Sequence, residues 1–292
     1  MAYILLILSP IINAFLKVPQ KKYQEDTMGV ESGVNIYLAL NCLFGLVFFA
    51  TLAGGNIKPN VPTLLFAVVF SGNCILSNVA SLLAMRKTDI ASMAIFASAG
   101  AIVTPIIFGA FFLKEETSVC KWIAVFLLVI IVFMPLFDNR QHKKKSIQGY
   151  LYCLLLFIDG GLSTIICKLY AMNPNVLGDN VFCFWTNVFI IPFAIIIISR
   201  SGGFGQFLAD AKTLSKRTYL YAIATLLMGN ALTLTSMYIF KYINIIVCTI
   251  LTSSLSLISV AVFSRIFFKE KITVRTIVNI VLSIMAIIFN LF

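Results

Sequence analysis

Ten stretches of mostly apolar residues follow one another along the chain with short polar gaps between them, each about the 20 residues a helix needs to cross a bilayer. They cover approximately 2–20, 34–53, 62–85, 89–112, 118–137, 148–170, 180–199, 218–240, 244–267 and 272–291. Lipid offers no partner to backbone N–H and C=O groups, so stretches of this kind fold as helices whose bonds close within the segment. Composition points the same way: 60% of residues are hydrophobic and 11% charged, against roughly 25% charged in a soluble domain. The expected fold class is an all-α integral membrane protein with no separate soluble domain.

The ten stretches divide into two sets of five. Phe112-Leu113-Lys114-Glu115 and Phe267-Phe268-Lys269-Glu270 are nearly one phrase written twice, 155 residues apart, each between two apolar stretches. At that offset Thr63 to Phe137 falls on Thr218 to Phe292 without gaps, pairing Leu65 with Leu220, Ser81 with Ser236, Ser98 with Ser253 and Phe108 with Phe263. Identities are sparse, but every apolar stretch and loop stays in phase. Five is odd, so the second set enters the membrane in the opposite sense, which predicts ten transmembrane helices as two inverted five-helix repeats. The boundaries read as 1–137 for the first repeat, 138–147 for a basic linker loop and 148–292 for the second.

The formal charge of +11 suggests nucleic acid at first sight, but the Lys and Arg residues sit in short loops and form no extended arm, so no nucleic-acid partner is expected. Seventeen of the 22 lie in odd-numbered loops, and the positive-inside rule then puts both termini outside and the Lys143-Lys144-Lys145 loop in the cytoplasm. The first stretch has no basic n-region and no small-residue cleavage site, and reads as a retained span. The seven cysteines form no CxxC pair and do not cluster with His142, the only histidine. Neither a disulfide framework nor a metal site is expected, and no cofactor motif occurs.

Ten spans in two inverted repeats, each closing with an aromatic-rich Lys-Glu element before a final apolar helix, resemble the drug/metabolite transporter superfamily, specifically its EamA-type carriers. The matching residues are Phe112 to Thr117 and Phe267 to Thr273, each with the helix that follows, and the lysines closing the first span of each repeat, Lys17 and Lys168. The resemblance implies that spans one to four and six to nine surround a central cavity while five and ten lie peripherally. It also implies cytoplasmic termini, against the charge count.

Asp159 is the residue that most needs an explanation, since it stands midway along the sixth stretch, where a charge costs at least about 2.5–3.5 kcal/mol. A carboxyl so placed must face a cavity, pair with a cation or stay protonated, which makes it either a coupling or substrate-binding group or a structural partner for a buried lysine or polar helix. Gly160 and Gly161 beside it permit close helix approach or local unwinding. Lys17 and Lys168 either attract an anionic or zwitterionic solute or snorkel to headgroups.

Other polar faces are candidate linings for a substrate cavity. Thr249, Thr252, Ser253, Ser256 and Ser259 fall within an arc of about 120° on one helix, and the aligned residues Ala94, Ala97, Ser98, Ala101 and Thr104 keep that face small in the other copy. Asn73, Ser77 and Ser81 form a second face and Asn230, Thr233 and Ser236 a third, beside Asn13 and Asn41. All of these equally suit helix packing and interhelical hydrogen bonds. Phe184-Trp185-Thr186-Asn187 looks like a degraded aromatic-Asn-Asn signature of nucleotide-sugar carriers, and brings Trp185 and Asn187 into the candidate set. Glu115 and Glu270, at the start of the loop before the last helix of each repeat, are expected to cap exposed N–H groups.

These residues predict a multi-pass carrier in the cell membrane, moving a small polar metabolite by alternating access with ion or proton coupling through Asp159. A nucleotide-sugar exchanger and a non-transporting assembly subunit are the alternatives, and a homodimer through the apolar fifth and tenth helices is compatible with each. No paired carboxylates or metal-ligand spacing occur within the spans, which argues against an enzyme. No G-x-x-x-x-G-K-[ST] loop is present, so pumping would draw on a gradient.

Overall fold

A computed structural model of the chain describes residues 1–27, 30, 32–87, 90–133, 147–200, 202–268 and 274–290. Among them it is helical throughout, with eleven helices: α1 (Ala2–Asp26), α2 (Gly33–Leu52), α3 (Val61–Lys87), α4 (Ile90–Phe111), α5 (Val119–Phe133), α6 (Ile147–Met172), α7 (Asp179–Arg200), α8 (Gly203–Thr213), α9 (Lys216–Tyr242), α10 (Ile245–Phe268) and α11 (Val274–Asn290). Ten of them overlie the ten apolar stretches. By length and composition, α1, α2, α6, α7, α9 and α10 can each cross a membrane. The described apolar parts of α3, α4, α5 and α11 run only 10–17 residues. The architecture is that of a helical membrane protein.

Local chemistry explains the ends of several helices. Asn60 Oδ1 accepts the Thr63 N–H at 3.0 Å and opens α3, with Pro62 in the first turn where its missing N–H costs nothing. Ser215 Oγ accepts the Thr218 N–H at 3.2 Å and opens α9 in the same way, 155 residues later. Ser118 Oγ accepts the Lys121 N–H at 3.3 Å and opens α5. Gly202 and Gly203, with φ of 103° and 80°, make the left-handed break between α7 and α8.

The helix α8 stands within residues 200–217, where the spacing of apolar stretches predicts a loop. Phe204, Phe207, Leu208 and Ala211 recur at helical spacing, but the run is too short to register as a span. Phe204 and Leu208 are exposed, and Asp210 Oδ2 accepts the Ser32 N–H at 3.1 Å.

The chain forms two compact units. The first takes Met1–Ile11, Asn73–Met172 and Met237–Phe292, and the second Ile12–Gly72 and Asn173–Ser236. Each therefore draws on both halves of the sequence, and compactness cuts the chain differently from the repeat. In the first unit α4 packs along α6, α5 along α11, and α10 against α4, α5 and α11. In the second, α2 packs on α7 and both meet α8. Here Tyr23 extends α1 beyond its apolar part, its hydroxyl donating to the Gly33 carbonyl at 2.8 Å.

Candidate functional site

Among the described residues the first unit holds a buried lysine and a buried aspartate, and they are treated differently. Lys168 on α6 is 6% exposed and does not snorkel. Its ammonium donates to the Phe240 carbonyl at 2.9 Å and the Ile243 carbonyl at 2.8 Å, and lies 3.9 Å from the Glu115 carboxylate. Glu115 in turn accepts the Ile245 N–H on Oε1 at 2.9 Å and the Ile246 N–H on Oε2 at 3.1 Å. Those carbonyls end α9 and those amides begin α10, so the cation faces the negative end of one helix dipole and the anion the positive end of the next.

Backbone conformation makes this clip reachable. Lys114 is left-handed with φ 51°, turning the chain after α4 so that the Glu115 N–H returns to the Gly109 carbonyl at 3.0 Å. A Cβ on Gly109 would stand 2.6 Å from Ile245 Cγ2, so only glycine admits the start of α10 there. Glu115 is thus a cap, but of α10 and not of the final helix of its own repeat. Lys168 is correspondingly engaged by two helix ends. Glu270 lies outside the described residues, as does the side chain of Lys17.

Asp159 sits at the middle of α6 and is 5% exposed. Ser77 on α3 hydrogen-bonds its carboxyl, while Oδ1 has no partner among the described residues. One turn away Asn73, 4% exposed, donates from Nδ2 to Ser163 Oγ at 2.7 Å and keeps its own Oδ1 without a partner. The buried lysine is engaged elsewhere, so Asp159 is not its counter-ion. Asn73, Ser77 and Asp159 are brought together as a ladder. Ser163 completes it and was missed in the sequence, although its i+4 spacing from Asp159 was the available signal. Ser81 belongs to the same helix face, with its side chain outside the described residues.

The glycines beside Asp159 are explained by packing. A Cβ on Gly160 would lie 2.6 Å from the Ala97 carbonyl oxygen, one on Gly161 would strike Thr104, and one on Gly100 would strike the Phe157 carbonyl. The helices α4 and α6 therefore cross backbone against backbone, and the small face of Ala97, Ala101 and Thr104 serves that crossing.

The remaining candidates divide between the units. On α10, Thr249 is buried and its hydroxyl has no partner among the described residues, Ser253 and Ser256 are half-buried, and Thr252 donates back to the Cys248 carbonyl at 2.8 Å. In the second unit Asn13 is exposed, Asn41 half-buried, and Asn230 half-buried with no partner for Nδ2 among the described residues. Thr233 and Ser236 donate to carbonyls of their own helix, at 3.0 and 2.9 Å. Trp185 donates its indole N–H to the Ile57 carbonyl at 2.9 Å. Asn187 is buried, donates to the Cys183 carbonyl at 2.8 Å and lies where a Gly45 Cβ would meet its amide at 2.7 Å. Both residues of the nucleotide-sugar signature are thus occupied in packing α7.

No protein-family model and no curated protein matches the chain. Its fold is similar to that of a solved crystal structure, with a TM-score of 0.69 and 11% sequence identity over 97% of this chain and 95% of the other. The likeness therefore extends from end to end and concerns the fold alone.

Proposed function

We propose that the chain is a secondary carrier that moves a small polar metabolite, an amino acid or related organic solute, across the cell membrane by alternating access, with ion or proton coupling. The observation that carries this reading is the Asp159 carboxyl, buried at the middle of a membrane-crossing helix with one oxygen left unpaired. A polar group in that position is costly, and membrane proteins keep such groups where an ion or solute is handled.

In this reading the ten apolar helices are ten spans, arranged as two inverted repeats, 1–137 and 148–292, around a central cavity. Helix capping supports the repeat: Asn60 with Thr63 and Ser215 with Thr218 stand 155 residues apart. So does packing, since α2 meets α7, α4 meets α10 and α5 meets α11. Each pair joins a helix to its counterpart in the other half, as elements beside a twofold axis do. The resemblance to EamA-type carriers points to the same class. No observation favours the nucleotide-sugar alternative, whose Trp185 and Asn187 already have partners.

The test uses purified protein in proteoliposomes with imposed ion or proton gradients, against panels of amino acids, nucleotide sugars, organic anions and organic cations. For the solute that is taken up, Asp159→Asn is expected to abolish gradient-driven accumulation, and solute exchange survives where the carboxyl couples an ion. Full accumulation by that variant sinks the coupling role, and no uptake of any panel member turns the reading toward an assembly subunit.

A further inference from the structure

The ladder around Asp159 has a register. Asn73 meets Ser163, Ser77 meets Asp159, and Ala80 packs on Leu156. As α3 advances by four and then three residues, α6 retreats by four and then three, so the two helices run antiparallel there with one face each in contact. At about 100° per residue, Leu156, Asp159 and Ser163 fall within about 60° of one another, while Gly160 lies about 70° and Gly161 about 170° from the middle of that arc. One side of α6 is therefore clamped to the α4 backbone through glycine while the neighbouring side presents the polar rungs. That gives the ladder a rigid support.

Donors and acceptors do not balance on the two polar rungs. The Asn73 amide donates to Ser163 and retains an unpaired Oδ1, and the Asp159 carboxyl retains an unpaired Oδ1. Both residues are more than nine-tenths buried, where polar atoms ordinarily have partners. With Asp159 ionised the two orphans are both acceptors, so the missing partner is a donor or a cation and not an anion. Lys168, the buried cation of the same unit, is already bound to Phe240, Ile243 and Glu115.

We propose that Asp159 and Asn73, with the hydroxyl oxygens of Ser77 and Ser163, bind a small monovalent cation: sodium, or the primary ammonium head of the transported solute. A single carboxylate matches a single positive charge. Calcium takes six to eight oxygens, and no group of three or more His, Cys, Asp or Glu side chains gathers among the described residues. Sodium and an alkylammonium share the requirement that the site meets, a unit charge held by short contacts to oxygen. The proposal rests on the carrier reading only for the use made of the bound cation, and its occupancy is measurable without transport.

The experiment follows thermal unfolding of the purified full chain in lipid nanodiscs at pH 8, in choline chloride, sodium chloride or methylammonium chloride at constant ionic strength. A concentration-dependent rise in Tm with sodium assigns the site to a coupling ion, and a rise with methylammonium alone assigns it to the solute. In either case Asp159→Asn is expected to lose the response, and Asn73→Ala to weaken it at least tenfold, with Ser77→Ala as the second variant should Asn73→Ala not fold. No response to either cation, or an equal response in Asp159→Asn, overturns the proposal. Uptake without cation binding removes this proposal and leaves the carrier reading, whereas cation binding without uptake of any solute does the reverse.

Discussion

Two places in the first unit bring charge into apolar helices, and they are built on opposite plans. At Lys168 every charge is answered: the ammonium meets two carbonyls and a carboxylate, and the carboxylate meets two amides. At Asp159 the answer is incomplete, with one carboxyl oxygen and one amide oxygen unpaired a single turn apart. A closed arrangement contributes stability and has nothing left to offer a ligand. An open one costs stability and keeps binding capacity. Burial alone does not separate the two, since both residues are nearly inaccessible; the balance of donors against acceptors does.

The largest effect expected from this contrast is on the closed site. Lys168→Met leaves Glu115 without its cation and frees the Phe240 and Ile243 carbonyls, and breaking a buried pair from one side costs about 3–5 kcal/mol. Unfolding in mixed micelles should register a loss of that size. Adding Glu115→Gln should recover part of it, because the remaining charge is then removed as well. Equal losses in the single and double variants would show that the ammonium acts only on the carbonyls, and the picture of two opposed charges bridging α9 and α10 would fail.

A smaller effect is expected at the support shared by α4 and α6. In Gly100→Ala the new methyl meets the Phe157 carbonyl, a backbone atom that can yield only if the helices separate. Overpacking of this kind costs about 1–3 kcal/mol. Because the crossing stands beside the Asp159 ladder, cation or solute affinity should fall together with stability. If stability falls and affinity does not, the polar rungs do not depend on the glycine clamp.

The helices were legible in the sequence because apolar length is a property of consecutive residues, and so was the cost of Asp159, which follows from position alone. The short α8 was not, since Phe204, Phe207, Leu208 and Ala211 make only half a face. Pairing was harder still. Glu115 and Lys168 are 53 residues apart, and Glu115 reaches amides 130 residues away; no local pattern says which helix end a carboxylate will find. The same holds for Trp185 and Asn187, whose residue types suggest ligand contacts while their side chains donate to the Ile57 and Cys183 carbonyls. Polar residues in apolar helices are visible in a sequence, but whether each has a partner is a tertiary property.

The smallest effect, and the sharpest contrast with Lys168, is the stability of Asp159→Asn. An amide can still hydrogen-bond Ser77 and carries no charge to desolvate, so the variant should stay within about 1 kcal/mol of wild type, on the stabilising side. Unfolding measured in choline chloride, without sodium or solute, isolates this term from ligand binding. A loss as large as that of Lys168→Met would mean that the carboxylate is held by contacts as complete as those of the clip. Asp159 would then be a second structural charge, and the difference between a closed and an open site would disappear. A small change together with lost cation response would place the cost of the buried carboxyl where the carrier reading needs it, in a group retained for what it binds and not for what it holds together.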